Sequence, residues 1–387
     1  MGSVKYQHLN ALQRGTQRCF GPYHHRPNTT LARNPSTGFR PTANDRINLD
    51  TRIRHFSSTA ARKEEDSENF WRVSADDSKF WEDYVSTRPK YSAAFYNEIY
   101  SHHAAHSSQW DTAHDVGCGA GQVSAELASR FSHVVASDIN DTHLAVAKRR
   151  LRPDFGSDRI SFTHSTGEQL AEHHAPGSTD LIAVAEAMVL MDEQVALDSF
   201  ARLLRPNGTL AFWFYGRPTF SDARLRAEAQ PLVDAIMVKN WATVIRGSGE
   251  RRKAGFQRAA EGMESWLDYV LLDPATWTDV RRIKWNPSAT LAFFAEEACG
   301  FPIQTTSRVG PDEHVEERED PEWWQNNWDI AELKKYFSVL FPGFKDAVGD
   351  GDAEINKWFQ ELEAKMGGQG KINQFTWPAV LVTATRK

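Results

Sequence analysis

Three features of the 387-residue chain predict an α/β fold built on a doubly wound, mostly parallel sheet. β-rich and helical stretches alternate from about residue 111 to 216, an order that demands right-handed crossovers. The run TDLIAVAEA (179–187) is almost continuously apolar, as a parallel strand buried on both faces must be. A glycine-rich turn, AHDVGCGAGQ (113–122), joins the first strand of the series to its first helix. Ligands of such sheets sit beyond the carboxyl ends of the strands, where the strand order reverses.

Residues 64–110 form a helical flap: Phe80 and Tyr84 stand at helical spacing, and Arg88-Pro89 divides the stretch into two short helices. Residues 111–116 are the first strand, and Val123, Leu127 and Phe131 give the next helix one buried stripe. HVVASD (133–138) is the second strand; the helix after it takes Asp141 as N-cap and buries Leu144, Val146, Ala147 and Leu151. RISFTHS (159–165) is the third strand and the apolar run at 179–187 the fourth. A helix containing Phe200, Leu203 and Leu204 stops at Arg205-Pro206-Asn207-Gly208, and TLAFWFY (209–215) is the fifth strand, closing a core of residues 111–216. Residues 217–374 read as a helical lid containing one strand, WTDVRRIKW (277–285), and a helix at 321–341. Residues 375–387 return to the sheet as a seventh strand of β-branched residues.

Bulk composition narrows the function. No apolar run is long enough to cross a bilayer. Residues 1–63 carry 11 Lys and Arg against 2 Asp and Glu, leaving 34 against 49 for the rest, so a basic leader precedes an acidic body. An acidic body without an Asn-Pro-Pro-Tyr-like tetrad does not suit a nucleic-acid enzyme. Cys19, Cys118 and Cys299 are odd in number, which argues against a disulfide framework and for a reducing compartment. No metal is expected.

The glycine turn selects the cofactor. Gly117, Gly119 and Gly121 give G-x-G-x-G, with Gln122 where a dinucleotide fingerprint needs its last glycine, and no phosphate-cradling G-x-x-x-x-G-K-[ST] occurs. What remains is a loop whose backbone, including Cys118, can approach an adenosyl ligand bearing no phosphates, with Asp115 placed to meet an amino group. That ligand is S-adenosylmethionine. Asp138, at the end of the second strand and followed by Ile139, is positioned to accept both ribose hydroxyls, with helix capping as its alternative role. Ser165, Thr166 and Glu168 end the third strand where an adenine edge would lie, unless they form an ordinary surface turn. Glu186, after the fourth strand, is either a rim charge or a contact near the methionyl part.

In this order DVGCGAG, SDIN, STGEQL, DLIAVAEA and RLLRPNGTLAFWFYG resemble class I S-adenosylmethionine-dependent methyltransferases, with their Rossmann-like fold. WEDYVSTRPKYSAAFY, LLDPATWTDVRRIKWN and the aromatic closing strand resemble, more narrowly, the fungal trans-aconitate methyltransferase-like branch; the resemblance covers roughly residues 78–386. It implies a small-molecule enzyme that methylates a carboxylate oxygen. That branch often has an Ala-His-Trp-Phe-Asp-like stretch after the fourth strand, whereas this chain reads Ala187-Met188-Val189-Leu190-Met191-Asp192, which leaves room for a less polar acceptor. A secondary-metabolite or quinone-type acceptor is the alternative within the enzyme class. A cofactor-binding partner protein without transfer activity is the alternative outside it.

Methyl transfer is an in-line displacement, so the protein must chiefly align nucleophile, methyl and sulfur. An ionised carboxylate needs no base, whereas a phenol does. Arg forks and Tyr hydroxyls should hold a carboxylate; Tyr84, Arg88 and Tyr215 are the catalytic candidates, and Tyr91, Trp213, Arg217, Arg246 and Arg251 are further acceptor contacts. For Tyr84 and Arg88 the resemblance implies a place near the methionyl end. His114 and His314 are unplaced bases, His114 being the more structural. Trp323, Trp324 and Trp328 on the helix at 321–341 either roof the site or pack lid against sheet. The leader, with Asp45 and Asp50 its only acids, ends in Arg54-His55-Phe56-Ser57 and has the composition of a mitochondrial matrix-targeting peptide. Pro27, Pro35 and Pro41 keep open the alternative of a disordered basic tail on a cytoplasmic protein.

Overall fold

A computed structural model describes residues 76–340 and 352–387. The chain divides into two units, Met1–Arg62 and Lys63–Lys387, and the described residues belong to the second. The basic leader and its targeting expectation lie outside them.

Two flap helices come first: α1 (Ser78–Thr87), capped by the Asp77 carboxylate, and α2 (Ala93–His106), capped by the Ser92 hydroxyl. Then follow β1 (Thr112–Val116), α3 (Gln122–Leu127), β2 (His133–Asp138), α4 (Asp141–Leu151), β3 (Ile160–His164), α5 (Leu170–His173), β4 (Thr179–Ala185), α6 (Glu193–Leu203) and β5 (Leu204–Tyr215). The lid supplies β6 (Thr219–Phe220), α7 (Ala223–Glu228), α8 (Gln230–Arg246), α9 (Glu250–Glu264), β7 (Trp277–Trp285), α10 (Glu296–Cys299) and β8 (His314–Arg318). β9 (Asn326–Trp328), α11 (Ile330–Ser338), α12 (Ala353–Lys365), β10 (Asn373–Thr376) and β11 (Ala379–Arg386) complete it.

The main sheet has the order β3-β2-β1-β4-β5-β11-β7-β8. β1 to β5 are mutually parallel, and β11 runs antiparallel between β5 and β7. The fold is therefore the doubly wound, mostly parallel sheet expected, with eight strands rather than seven. The extra strand, β8, is an edge whose sequence HVEER is charged and largely solvent-facing, so it carries no hydrophobic alternation to read. Buried Asp180 on β4 accepts from the backbone N–H groups of Asp111 and Thr112, at 2.8 and 2.9 Å, and pairs with Arg205. These contacts fix the start of β1 against β4 and β5.

Several local expectations need correction. Asn140, not Asp141, caps α4: its side chain accepts from Thr142 N–H at 2.9 Å, and Asp141 becomes the first helical residue, where its charge suits the helix dipole. Leu204 begins β5 instead of ending the helix, and Asn207 takes a left-handed φ of 66° within the strand's extension. Residues 321–341 are not one helix. Trp323 is drawn onto Trp285, the rings stacked at 4.1 Å, Trp324 turns with φ 45°, and Trp328 joins a strand before Asp329 caps α11. The closing segment is two strands: β10 pairs with β6 and β9 in a second, three-stranded sheet, and β11, after Pro378, enters the main one.

Candidate active site

The strand order reverses at β1, which lies between β2 and β4, and the glycine turn sits at its carboxyl end. Gly117 and Cys118 donate their N–H groups to the Ser137 carbonyl at 2.8 and 2.9 Å, clamping the turn to β2. Gly117, Gly119 and Gly121 all have left-handed φ, of 71°, 52° and 80°. They do different things. A Cβ on Gly117 would meet the Ala187 Cβ at 2.8 Å, and one on Gly121 would lie 2.7 Å from Leu151 Cδ1 of α4. Those two glycines serve backbone packing. A Cβ on Gly119 would meet nothing within 4 Å, so here the backbone faces open space that a ligand can use.

Two carboxylates flank the turn. Asp115 is fully buried; its Oδ2 accepts from Ser124 Oγ at 2.5 Å, while its Oδ1 has no partner. Burial pushes its pKa up to about 7. Asp138 is buried too, and burial alone would raise its pKa, but hydrogen bonds from His143, Asn140 N–H and Gly119 N–H outweigh it and hold the carboxyl below its ordinary value. Asn140 N–H reaches Oδ1 at 2.8 Å; Gly119 N–H and His143 Nδ1 reach Oδ2 at 2.9 and 3.2 Å. Three of the four lone-pair directions of that carboxylate are taken, which leaves one, on Oδ1, for an incoming hydroxyl. An amino group for Asp115 Oδ1, a sugar hydroxyl for Asp138 and clearance over Gly119 together fit S-adenosylmethionine. When bound, that cofactor supplies a methyl group on a sulfonium.

The cavity beside the turn is walled by Asp115, Gly117, Cys118, Gly119, Glu186, Tyr84, Arg88, Tyr91 and Tyr215. Four of these, Tyr84, Arg88, Glu186 and Tyr215, also line a second chamber of ≈ 150 Å³ on their other side. The rest of that chamber includes Val189, Leu190, Phe214, Trp241, Phe293 and Phe294. Glu186 is held there by an unusual backbone. Its φ of 59° is left-handed, its N–H donates to Trp213 O at 3.0 Å, and its Oε1 accepts from Tyr215 N–H at 2.8 Å. Burial raises its pKa well above the ordinary carboxyl value, against the lowering effects of the Tyr215 N–H and the Arg88 charge. Arg88 is anchored from the flap: its Nη2 donates to Val339 O and Leu340 O at 3.3 and 3.0 Å, at the carboxyl end of α11, and its guanidinium lies 4.3 Å from the Tyr84 ring centroid. Its Nε has no hydrogen-bond partner.

The sequence-selected residues thus divide. Asp115, Gly117, Cys118, Gly119, Glu186, Tyr84, Arg88, Tyr91 and Tyr215 come together around one cavity. Ser165 and Thr166 stand on the adjoining rim, where Ser165 N–H donates to Asp138 O at 3.2 Å, next to the exposed side chain of Ile139. Glu168 is turned away to accept from Asp192 N–H at 2.9 Å. Arg217 is a buried strut bound to Ala292 O and Asp234, and Arg246 and Arg251 lie on exposed helix faces. His114 is buried against His174, and His314 lies on the edge strand. Trp323 and Trp324 pack with Phe95 and Trp285 between flap and lid. The apolar chamber was missed, although Phe293-Phe294 and the Met188-Val189-Leu190 turn were visible signals.

A doubly wound sheet with this turn and these carboxylates has the architecture of a class I methyltransferase. Residues 113–208 match the family model described as a methyltransferase domain. The chain is 40% identical to methyltransferase pgmE of Aspergillus terreus, over 85% of this chain and 99% of that protein. It is 37% identical to methyltransferase cfoB of Aspergillus candidus, over 80% of this chain and 95% of that one. Methyltransferase ptaI of Pestalotiopsis fici is 36% identical, with 80% and 93% covered. The chain belongs to the class I S-adenosylmethionine-dependent methyltransferases. Among the described residues no helix is long and apolar enough to cross a membrane.

Proposed function

We propose that the enzyme methylates an oxygen of a small, largely apolar acceptor of the secondary-metabolite or quinone type. The observation that carries this reading is the chamber of ≈ 150 Å³ sharing Tyr84, Arg88, Glu186 and Tyr215 with the cofactor cavity. An apolar cavity of roughly this size accommodates a benzene ring. Val189 and Leu190, within the stretch 187–192 where the trans-aconitate-like branch often has an Ala-His-Trp-Phe-Asp-like sequence, help to make it apolar. Among the described residues lining it, Arg88 is the sole cation, so a tricarboxylate would bury carboxylates without partners, at a cost of several kcal/mol each. A phenolic acceptor has a pKa near 10 and needs a base. Glu186, in the wall shared by the two cavities and with its proton affinity raised by burial, is the candidate for that base, acting from its ionised form.

A second reading, ester formation on a single carboxylate, is favoured by Arg88, whose unpartnered Nε could complete a fork to one carboxyl group. Purified protein with methyl-labelled S-adenosylmethionine, offered lipophilic phenols, hydroxyquinones, aromatic monocarboxylates and trans-aconitate, separates these readings. Label on the phenols or quinones is the expected outcome. Transfer to trans-aconitate alone overturns it, and cofactor binding with no labelled product from any extract would instead mark a binding partner. The Arg-rich leader supports a mitochondrial matrix location, testable by fusing residues 1–63 to a fluorescent protein.

A further inference from the structure

Two histidines and an aspartate converge far from the cofactor. His102 and His106 are one turn apart on α2, and Asp279 stands near the start of β7. β7 pairs antiparallel with β11, itself antiparallel to β5, so the start of β7 lies at the sheet edge opposite the glycine turn. Asp279 Oδ2 is 3.3 Å from His106 Nε2 and 3.7 Å from His102 Nδ1, and all three atoms lie within 4.8 Å of one another. Ligands about 2.0–2.1 Å from a tetrahedral ion are separated by about 3.3–3.4 Å.

The hydrogen bonds fix which atoms are open. His106 Nδ1 lies 2.9 Å from the His102 carbonyl, which can only accept, so Nδ1 carries the proton. In the neutral ring, Nε2 then turns a lone pair toward a carboxylate, a repulsive arrangement that a cation between them relieves. His102 Nε2 lies 3.0 Å from Thr385 Oγ1, a partner that can hold the Nε2–H tautomer and leave Nδ1 free to ligate. Nδ1 is also 3.1 Å from the Thr383 hydroxyl, which would have to give up that contact.

The backbone points the same way. Between the pairs Thr383↔Arg281 and Thr385↔Thr278 the register slips, so Asp279 and Val280 oppose the single residue Ala384. Asp279 takes a left-handed φ of 45° in this bulge, a strained conformation for a non-glycine residue. A bulge of this kind re-aims a side chain, and here the carboxylate comes to the histidine pair. Nothing in the cofactor chemistry uses it.

We propose that His102 Nδ1, His106 Nε2 and Asp279 Oδ2 form a divalent-metal site of the zinc class, with water completing the coordination, that ties α2 to β7. Two imidazoles and a carboxylate are a zinc-type donor set, and part-exposed His106 and Asp279 leave an entry path. Arg281, a nearby cation that lowers the proton affinity of His102, acts against a bound cation as well.

The test is calorimetric titration of Zn²⁺ into the chelator-treated full chain, with melting followed in parallel. One equivalent is expected to bind and to raise the melting temperature by a few degrees. His106→Ala and Asp279→Asn, the latter suited to a left-handed φ, should each weaken that equivalent at least tenfold and remove the melting shift, with circular dichroism unchanged. Co²⁺ bound to the unmutated protein should show visible absorption of nitrogen and oxygen coordination. No equivalent bound at 100 µM Zn²⁺, no cobalt spectrum, or binding that survives both substitutions overturns the site and leaves an imidazolium–carboxylate pair.

Discussion

Asp115 and Asp138 face the same turn but are pushed in opposite directions, one by burial without enough donors, the other by three hydrogen bonds. The consequence is a pH dependence. The Asp115 pKa of about 7 lies above its ordinary 3.8, so in the free protein ionising it opposes folding increasingly as pH rises between those values. Cofactor binding has the other sign, because its α-ammonium group prefers the ionised carboxylate. Affinity should therefore rise about tenfold from pH 6 to pH 8 and level off above. Asp115→Asn should flatten the profile and weaken binding by roughly 10- to 100-fold; calorimetry at three pH values checks both, and a flat unmutated profile removes Asp115 from the amino-group role. Glu186 gives a second test at this scale. If it is the base, Glu186→Gln should lower kcat by roughly 10²–10⁴-fold, well beyond any loss of cofactor affinity measured alongside. An unaltered kcat would support the base-free carboxylate acceptor instead.

Among the elements, the glycine turn shows that one motif can combine two physical demands. Gly121 is held against Leu151 of α4 and in a left-handed conformation, so Gly121→Ala should destabilise the fold by about 1–3 kcal/mol, read as a lowered midpoint in urea. Gly119 faces open space, so Gly119→Ala should cost only its backbone strain, about 1 kcal/mol, yet weaken cofactor binding measurably. Equal effects of the two on stability and binding would contradict the division. The turn was legible because its spacing is local, and β1 to β5 were legible because strand and helix signals alternate along 111–216, with β4 and the later part of β5 standing out as apolar runs. The limits of legibility are equally physical. β8 is a charged edge strand, and the Trp323–Trp328 region follows distant aromatic partners rather than its own periodicity. Asn140 and Asp141 are both good caps, and only the backbone turn chooses between them.

Across the whole molecule, the acceptor chamber is assembled from pieces that are far apart in the chain: Arg88 of the flap, Val189 after β4, Phe214 of β5, Trp241 of α8 and Phe293 before α10. Phe293-Phe294 and the Met188-Val189-Leu190 turn are its only local traces, and each apolar residue alone reads as ordinary core. The glycine turn with Asp115 and Asp138, by contrast, lies within one strand-turn-helix-strand unit. Phe293 stacks on Trp241 at a centroid distance of 6.2 Å and lines the chamber without touching the glycine turn. Phe293→Ala enlarges the chamber on its lid side, at a stability cost of about 1–3 kcal/mol for a half-buried ring. Cofactor affinity should stay within about twofold, while kcat/KM should fall roughly tenfold for the acceptor the unmutated enzyme prefers and rise for bulkier homologues of it. The measurement is competitive turnover of a size-graded acceptor series, with cofactor binding followed separately. If the size preference does not move, the chamber is core rather than acceptor site, and the acceptor must reach the methyl group from another side of the Tyr84, Arg88, Glu186 and Tyr215 wall.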